Sequence, residues 1–155
     1  MEEILNDYVK ITAFFERLKD VSDEWFFSPL AEGKWSAAAI VSHFRFWDRY
    51  ILEERLPLML KGEDLPKSNI NVDEVNAKAQ EYAHSGVTKR ELLDEAINWR
   101  ERSCAALAGV EFSTSFRIGE KELTLLQFIE GDIEHDEHHM KQIEEFLKKH
   151  QAELI

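Results

Sequence analysis

The scarcity of helix breakers is the strongest constraint on how this chain folds. All three prolines, Pro29, Pro57 and Pro66, fall within one stretch, and the 155 residues include 6 glycines. Because proline and glycine interrupt helices most often, the N-terminal end and the C-terminal half are free to form long helices. Apolar side chains in these segments recur at spacings of three and four residues, which is the period of one helix face. The pattern therefore predicts an all-α protein.

Helix caps and apolar faces divide the chain into five predicted helices. Their approximate ranges are 2–19, 37–56, 72–83, 88–108 and 124–150. Ser36 and Asn71 are predicted N-caps, and Thr88 and Thr124 each begin a capping box. The second helix must kink or stop near Pro57, because proline lacks the backbone N–H that continues a helix.

The segment 112–123 differs from the predicted helices. Its side chains alternate along the chain, and Gly119-Glu120 offers a turn, so it is predicted to be a short hairpin or an extended loop. The fold class is therefore a four-helix bundle with an extra short helix and a short hairpin before the last helix. Residues 1–155 are expected to form a single domain, since their number is typical of one.

The charge balance excludes several classes of function. Lys and Arg number 19 against 31 Asp and Glu, a net charge of −12. Such a surface repels phosphate backbones and anionic lipids, so neither nucleic acid nor membrane is an expected partner. One cysteine, Cys104, cannot form an internal disulfide. With no apolar run of about 20 residues and no signal-peptide pattern at the acidic N-terminus, we expect a cytoplasmic protein.

Three of the six histidines lie on faces that point into the predicted bundle. On a helical wheel of the last helix, His139 lies within the apolar arc and His135 at its edge, whereas His138 points to solvent. Two imidazoles four residues apart can bind one metal ion, and His43 lies beside Trp47 on the inner face of the second helix. A lone inward histidine is more often a hydrogen-bonded core residue. Three together favour a metal site at His43, His135 and His139.

Two aspartates of the last helix accompany these histidines. Asp132 and Asp136 lie on the inward arc, where either is suited to orient an imidazole or to act as a base. The alternative is a salt bridge, for which Arg100 is the candidate partner because it lies in the middle of an apolar face. For Arg100 itself, we favour a buried pair with a carboxylate over an anion-binding role.

Two segments resemble a known family. GKWSAAAIVSHFRFWDRYI, followed about ninety residues later by HDEHHMKQI, is similar to the DinB / YfiT-like superfamily of metal-dependent enzymes. The shared pattern is a histidine on the second helix after a W-S entry, then H-x-x-x-H-x-x-Q-I near the C-terminus. His43, His135 and His139 match it, and Gln142-Ile143 follows. The resemblance extends over essentially the whole chain.

That resemblance implies both a site and a function. It implies a four-helix bundle, a homodimer, and a three-histidine site for a divalent metal ion such as Ni, Zn, Fe or Mn. Characterised relatives include S-transferases and isomerases that use low-molecular-weight thiols. We therefore expect a metal-dependent enzyme, such as a thiol S-transferase, acting on a small-molecule substrate. A metal-dependent hydrolase and a non-catalytic metal- or small-molecule-binding stress protein are the alternatives, because the same ligands serve all three.

Other kinds of site fit the sequence less well. HDEHH is not the H-E-x-x-H motif of zinc proteases, and a ferritin-like di-iron site needs its Glu-x-x-His motifs on two helices. Cys104 lies among apolar residues and is interpreted as a small core residue rather than a nucleophile.

Overall fold

The computed structural model describes residues 2–65 and 71–150, which form a helical bundle with one small hairpin. Pro66 lies outside the described residues. The elements are α1 (Glu2–Leu18), α2 (Asp23–Phe26), α3 (Ala37–Tyr50), a π-helical turn (Ile51–Arg55), α4 (Leu56–Leu60), α5 (Val72–Ala83), α6 (Lys89–Ala106), β1 (Ser115–Ile118), β2 (Lys121–Thr124) and α7 (Leu125–Lys149). The predicted fold class is confirmed. None of the described helices combines the length and apolar character that crossing a membrane requires.

The long helices pack in pairs, and α3 and α7 meet mainly through their side chains. α1 packs against α6 and α7, and α3 packs against α5 and α6. The backbones of α3 and α7 lie further apart than the backbones in those helix pairs, with fewer close approaches between them. Side chains from both helices therefore occupy the space between them.

The hairpin and the predicted N-caps are present, although among the described contacts Thr88 accepts the Glu91 N–H without the return bond of the predicted capping box. Ser36 Oγ accepts the backbone N–H of Ala39 at 3.0 Å, as expected of an N-cap. Thr124 and Gln127 form the predicted capping box. The Thr124 hydroxyl accepts the Gln127 backbone N–H at 3.1 Å, and the Gln127 side chain accepts the Thr124 backbone N–H at 2.9 Å. β1 and β2 are antiparallel, and Gly119, at φ 62°, makes the turn between them.

One short helix was not predicted, and the interruption near Pro57 has a form that the sequence did not specify. α2 occupies part of the expected loop before Pro29, and its four residues are too few to show an apolar repeat. The interruption expected near Pro57 takes the form of the π-helical turn, where the Leu56 N–H bonds to the carbonyl of Ile51. This wider turn lets the chain stay helical into α4, where Pro57 lies in the first turn and needs no N–H partner.

Candidate metal centre

Three histidine side chains converge in the space between α3 and α7. His43 comes from α3, and His135 and His139 lie about one turn apart on α7. The His43 ring centroid is 5.4 Å from that of His135 and 5.3 Å from that of His139. One ring nitrogen of each residue lies within 4.8 Å of the other two. The tertiary structure thus brings together the three residues that the sequence indicated.

A neighbouring asparagine determines which nitrogen of His43 carries the proton. Asn76 Oδ1, on α5, lies 3.0 Å from His43 Nδ1 and accepts the Trp47 indole N–H at 2.8 Å. Because an indole nitrogen can only donate, the Asn76 atom that it meets must be the amide oxygen. That oxygen can only accept, so His43 Nδ1 carries the proton and donates it. Nε2 is therefore left with a free lone pair.

This lone pair has no hydrogen-bond donor. Across residues 2–65 and 71–150, His43 Nε2 is the buried side-chain nitrogen or oxygen without a hydrogen-bond partner. Buried polar atoms are nearly always paired in folded proteins, so an isolated one calls for an explanation. An imidazole nitrogen that faces two other imidazoles has the position of a metal ligand.

The pair on α7 has the spacing of two ligands to one ion. His135 Nε2 and His139 Nε2 are 3.1 Å apart. Zinc–nitrogen distances of about 2.0–2.1 Å in a tetrahedral site put two ligand nitrogens roughly 3.3 Å apart. His139 Nδ1 lies 2.8 Å from Gln142 Oε1, so an Nδ1–H donor here leaves Nε2 for the ion. The Gln142 side chain thus has a clear role in the H-x-x-x-H-x-x-Q pattern.

Partial desolvation favours the neutral form of these histidines, of which His43 is buried, His139 half-buried and His135 exposed. It lowers the pKa of His43 to about 4, and it also lowers the pKa values of His135 and His139. A neutral imidazole is the form that binds a metal, and a set of three nitrogen donors suits zinc, nickel, iron or copper better than magnesium or calcium. The residues present therefore fit a divalent transition-metal ion.

The two aspartates of α7 have different surroundings. Asp136 is buried, and its two oxygens accept bonds of 2.6 and 3.1 Å from Arg100, which is the salt-bridge alternative considered above. Asp132 is partly exposed and accepts a 2.7 Å hydrogen bond from the Tyr8 hydroxyl. Asp132, His135 and Asp136 also form a second group of ligand-type atoms within 4.8 Å. Because both oxygens of Asp136 already accept hydrogen bonds from Arg100, the three histidines are the better set of metal ligands.

Sequence reasoning missed Asp48, the second partner of Arg100. This carboxylate accepts bonds from the guanidinium at 2.9 and 3.2 Å and is 3 % exposed. Burial raises the pKa of Asp48 and raises that of Asp136 to about 7, against the opposing effect of Arg100. Asp48 follows Phe44 by four residues, and this spacing on the apolar face was the available signal.

The remaining histidines and the cysteine lie outside the cluster. His84 Nε2 is 3.0 Å from Ser36 Oγ, His138 is exposed, and His150 stacks on Trp25. Burial raises the pKa of Cys104 to about 11, so its thiol is protonated at neutral pH and is a poor nucleophile.

Two cavities adjoin the histidines. The larger cavity, of 530 Å³, is lined by residues that include His139 and Trp35. The smaller cavity, of 320 Å³, is lined by residues that include His43, His135 and Asp132. Each cavity is large enough for a small organic molecule, so the cluster is accessible to ligands from both sides.

Comparison with known proteins identifies the family. A model of the DinB superfamily matches residues 10–143, which is most of the chain. The chain belongs to the DinB superfamily. None of the curated proteins matches this DinB protein.

A solved structure shows the same fold. YfiT from Bacillus subtilis aligns with a TM-score of 0.74 and 16% sequence identity, over 96% of this chain and 86% of that one. It is described as a probable metal-dependent hydrolase with an unusual four-helix bundle topology. The likeness confirms that this DinB protein has a YfiT-like bundle.

Replacing Asn76 with alanine is expected to weaken metal binding roughly 10–100-fold, the usual effect of losing a group that orients a ligand histidine. Without Oδ1, nothing holds the His43 proton on Nδ1, and Nε2 is no longer reserved for the ion. Competition titration against a chromophoric chelator measures the affinity. Gln80→Ala is the control, because Gln80 is an exposed amide one turn further along α5. Equal affinities in the two variants would contradict the positioning role of Asn76.

Metal affinity in this DinB protein is expected to resist acidification. Ordinary histidines begin to exchange a metal for protons near their usual pKa of about 6.5. Because burial lowers the pKa of all three cluster histidines, the affinity should stay nearly constant from pH 8 to 6.5 and fall only at lower pH. A peptide of residues 131–145 is the control, since its three histidines, His135, His138 and His139, are not buried. A decline that parallels the peptide's would contradict this expectation.

Proposed function

We propose that this DinB protein binds one divalent metal ion through His43, His135 and His139 and catalyses a metal-dependent hydrolysis of a small molecule. The observation that supports the proposal is the unpaired, buried Nε2 of His43, which faces two further imidazoles. The description of YfiT as a probable metal-dependent hydrolase is consistent with it.

Three neutral ligands determine what the ion contributes. Since imidazoles carry no charge, a bound divalent ion keeps its full positive charge, which acidifies a water or thiol or polarises a carbonyl. His43 is oriented for this role by Asn76, and His139 by Gln142. Phe44 and Trp47 give the smaller cavity aromatic walls beside the histidines.

Asp132 is the proposed general base. It lines the smaller cavity with His43 and His135, whereas Asp136 is held by Arg100. The Tyr8 hydroxyl donates to Oδ2 of Asp132 and fixes the carboxylate, and we assign Oδ1 to accept the proton of an attacking water. A base beside the ligands suits hydrolysis, because the attacking water must give up a proton.

A paired activity screen tests the proposal. The metal-loaded protein is given chromogenic ester, amide and phosphate substrates without thiol and, in parallel, several low-molecular-weight thiols with a generic electrophile. We expect thiol-independent hydrolysis that is lost in His43→Ala. Asp132→Asn should lower kcat by about 100-fold or more while metal content is unchanged. Glu134→Gln is the control, since Glu134 is exposed on the same helix.

The other outcomes correspond to the two alternatives. Consumption of the electrophile only when thiol is present would replace hydrolysis by thiol S-transfer. Metal binding without activity in either arm would indicate a non-catalytic binding protein. The homodimer and the cytoplasmic location that the resemblance implies stay predictions, and light scattering of the purified protein tests the first of them.

A further inference from the structure

The larger cavity has apolar walls and a charged edge. Leu30, Trp35, Ile40 and Phe146 supply the apolar surface, and His139 connects the cavity to the histidine cluster. Its volume of 530 Å³ is within the range of cavities that hold metabolites and other small molecules. Its shape and composition therefore suit an organic molecule with an apolar body.

The charge of this cavity is opposite to that of the protein. Lys34 and Lys149 line it, against one carboxylate, Glu145, in a chain of net charge −12. Neither lysine lies within 4.0 Å of a carboxylate oxygen in the described parts of the chain. The smaller cavity is different, because Asp48 and Asp132 line it without any lysine or arginine. Two free cations beside an apolar wall provide a counter-charge for an anion.

We propose that the larger cavity binds the substrate, and that the substrate carries one anionic group, a carboxylate or a phosphate, on an apolar body about the size of a fused ring. The body lies against Trp35 and Phe146, and the anion lies between Lys34 and Lys149. This places the ligand beside His139. The assignment of the ligand as substrate rests on the proposed function, whereas its binding as an anion does not require the metal.

Matched probes test this assignment. Calorimetric titration compares 2-naphthoate with the uncharged 2-naphthamide on the protein of residues 1–155, both as purified and after chelation. We expect roughly fivefold tighter binding of the naphthoate in both samples, and a smaller difference at high salt. 2-Naphthyl phosphate is the third probe, and tighter binding of it than of naphthoate would identify the anion as a phosphate.

Variants locate the anion contact. Both lysines are exposed, so the double variant Lys34→Gln/Lys149→Gln should fold normally and bind the naphthoate and the amide equally. Lys141→Gln is the control, since Lys141 is exposed on α7 and does not line the cavity. Equal affinities for the two probes in the natural protein, or a preference that survives in the double variant, would overturn the assignment. Metal content, measured on the same samples, shows separately whether the metal site exists.

Discussion

His43→Ala and His139→Ala are each expected to leave the purified protein without bound metal, whereas the natural protein carries close to one divalent ion per chain. Each substitution removes one of three nitrogen donors. The loss should exceed the roughly 10–100-fold effect of removing an orienting group such as Asn76. Elemental analysis of protein purified without chelators gives the metal content directly, and it also identifies the metal.

His138→Ala is the matched control for this measurement. His138 belongs to the same HDEHH segment but is exposed, and its ring centroid lies 5.3 Å from that of His139. This variant should therefore keep its metal. Retention of the metal in His43→Ala would rule out the three-histidine site, because the α7 pair alone would then account for binding.

Arg100→Met is expected to destabilise the fold by about 3–5 kcal/mol, a large part of the roughly 5–15 kcal/mol typical of a domain. Arg100 is fully buried on α6 and donates to Asp48 on α3, to Asp136 on α7 and to the Tyr8 carbonyl on α1. One side chain thus connects the four long helices. Its removal leaves two buried carboxylates without their counter-charge. Urea denaturation followed by circular dichroism measures the free energy of unfolding.

Two further variants separate charge from packing. Arg102→Met removes an exposed arginine from the same helix and should change stability little. Adding Asp48→Asn and Asp136→Asn to Arg100→Met should recover part of the loss, because no buried charge then lacks a partner. A triple variant no more stable than Arg100→Met would show that packing, rather than charge, explains the effect.

The destabilisation by Arg100→Met should also depend on pH. Burial already raises the pKa of Asp136 to about 7, and without the guanidinium the pKa of both carboxyls rises further. The folded state of the variant then binds more protons than the unfolded state from about pH 4 to above pH 7, so its stability falls as the pH rises through that window and keeps falling where the natural protein's no longer does. The deficit relative to the natural protein should be larger at pH 8 than at pH 5.

The sequence was most informative where the determining interactions are local. The helices, the capping box at Thr124 and the inward faces of His43, His135 and His139 depend on spacings along the chain, and the structure agrees with them. The sequence also placed Asp132 and Asp136 on the inward face of the last helix, but it did not show that the two carboxylates have different partners. Whether a carboxylate faces a cavity or an arginine depends on the neighbouring helix.

Asn76 shows why the rest needed the tertiary structure. It lies on α5, in an exposed, polar stretch, and nothing in its own helix marks it as a partner of His43. Its role arises because α5 packs against α3 and brings Oδ1 to both His43 and Trp47. Long-range contacts of this kind depend on how side-chain volumes fit across helices, and a periodic pattern does not contain that information.

The sequence by itself therefore determined which residues lie on the inside of each helix, because a period of 3.6 residues assigns every side chain to a face. That was enough to select three histidines and to predict a bundle. The tertiary structure alone decided which inward residues meet: Arg100 contacts Asp48 and Asp136, and His43 contacts Asn76. It also decided that lysines line one cavity and carboxylates line the other. The physical reason is that helix packing, and not position along the chain, brings groups from different helices within bonding distance.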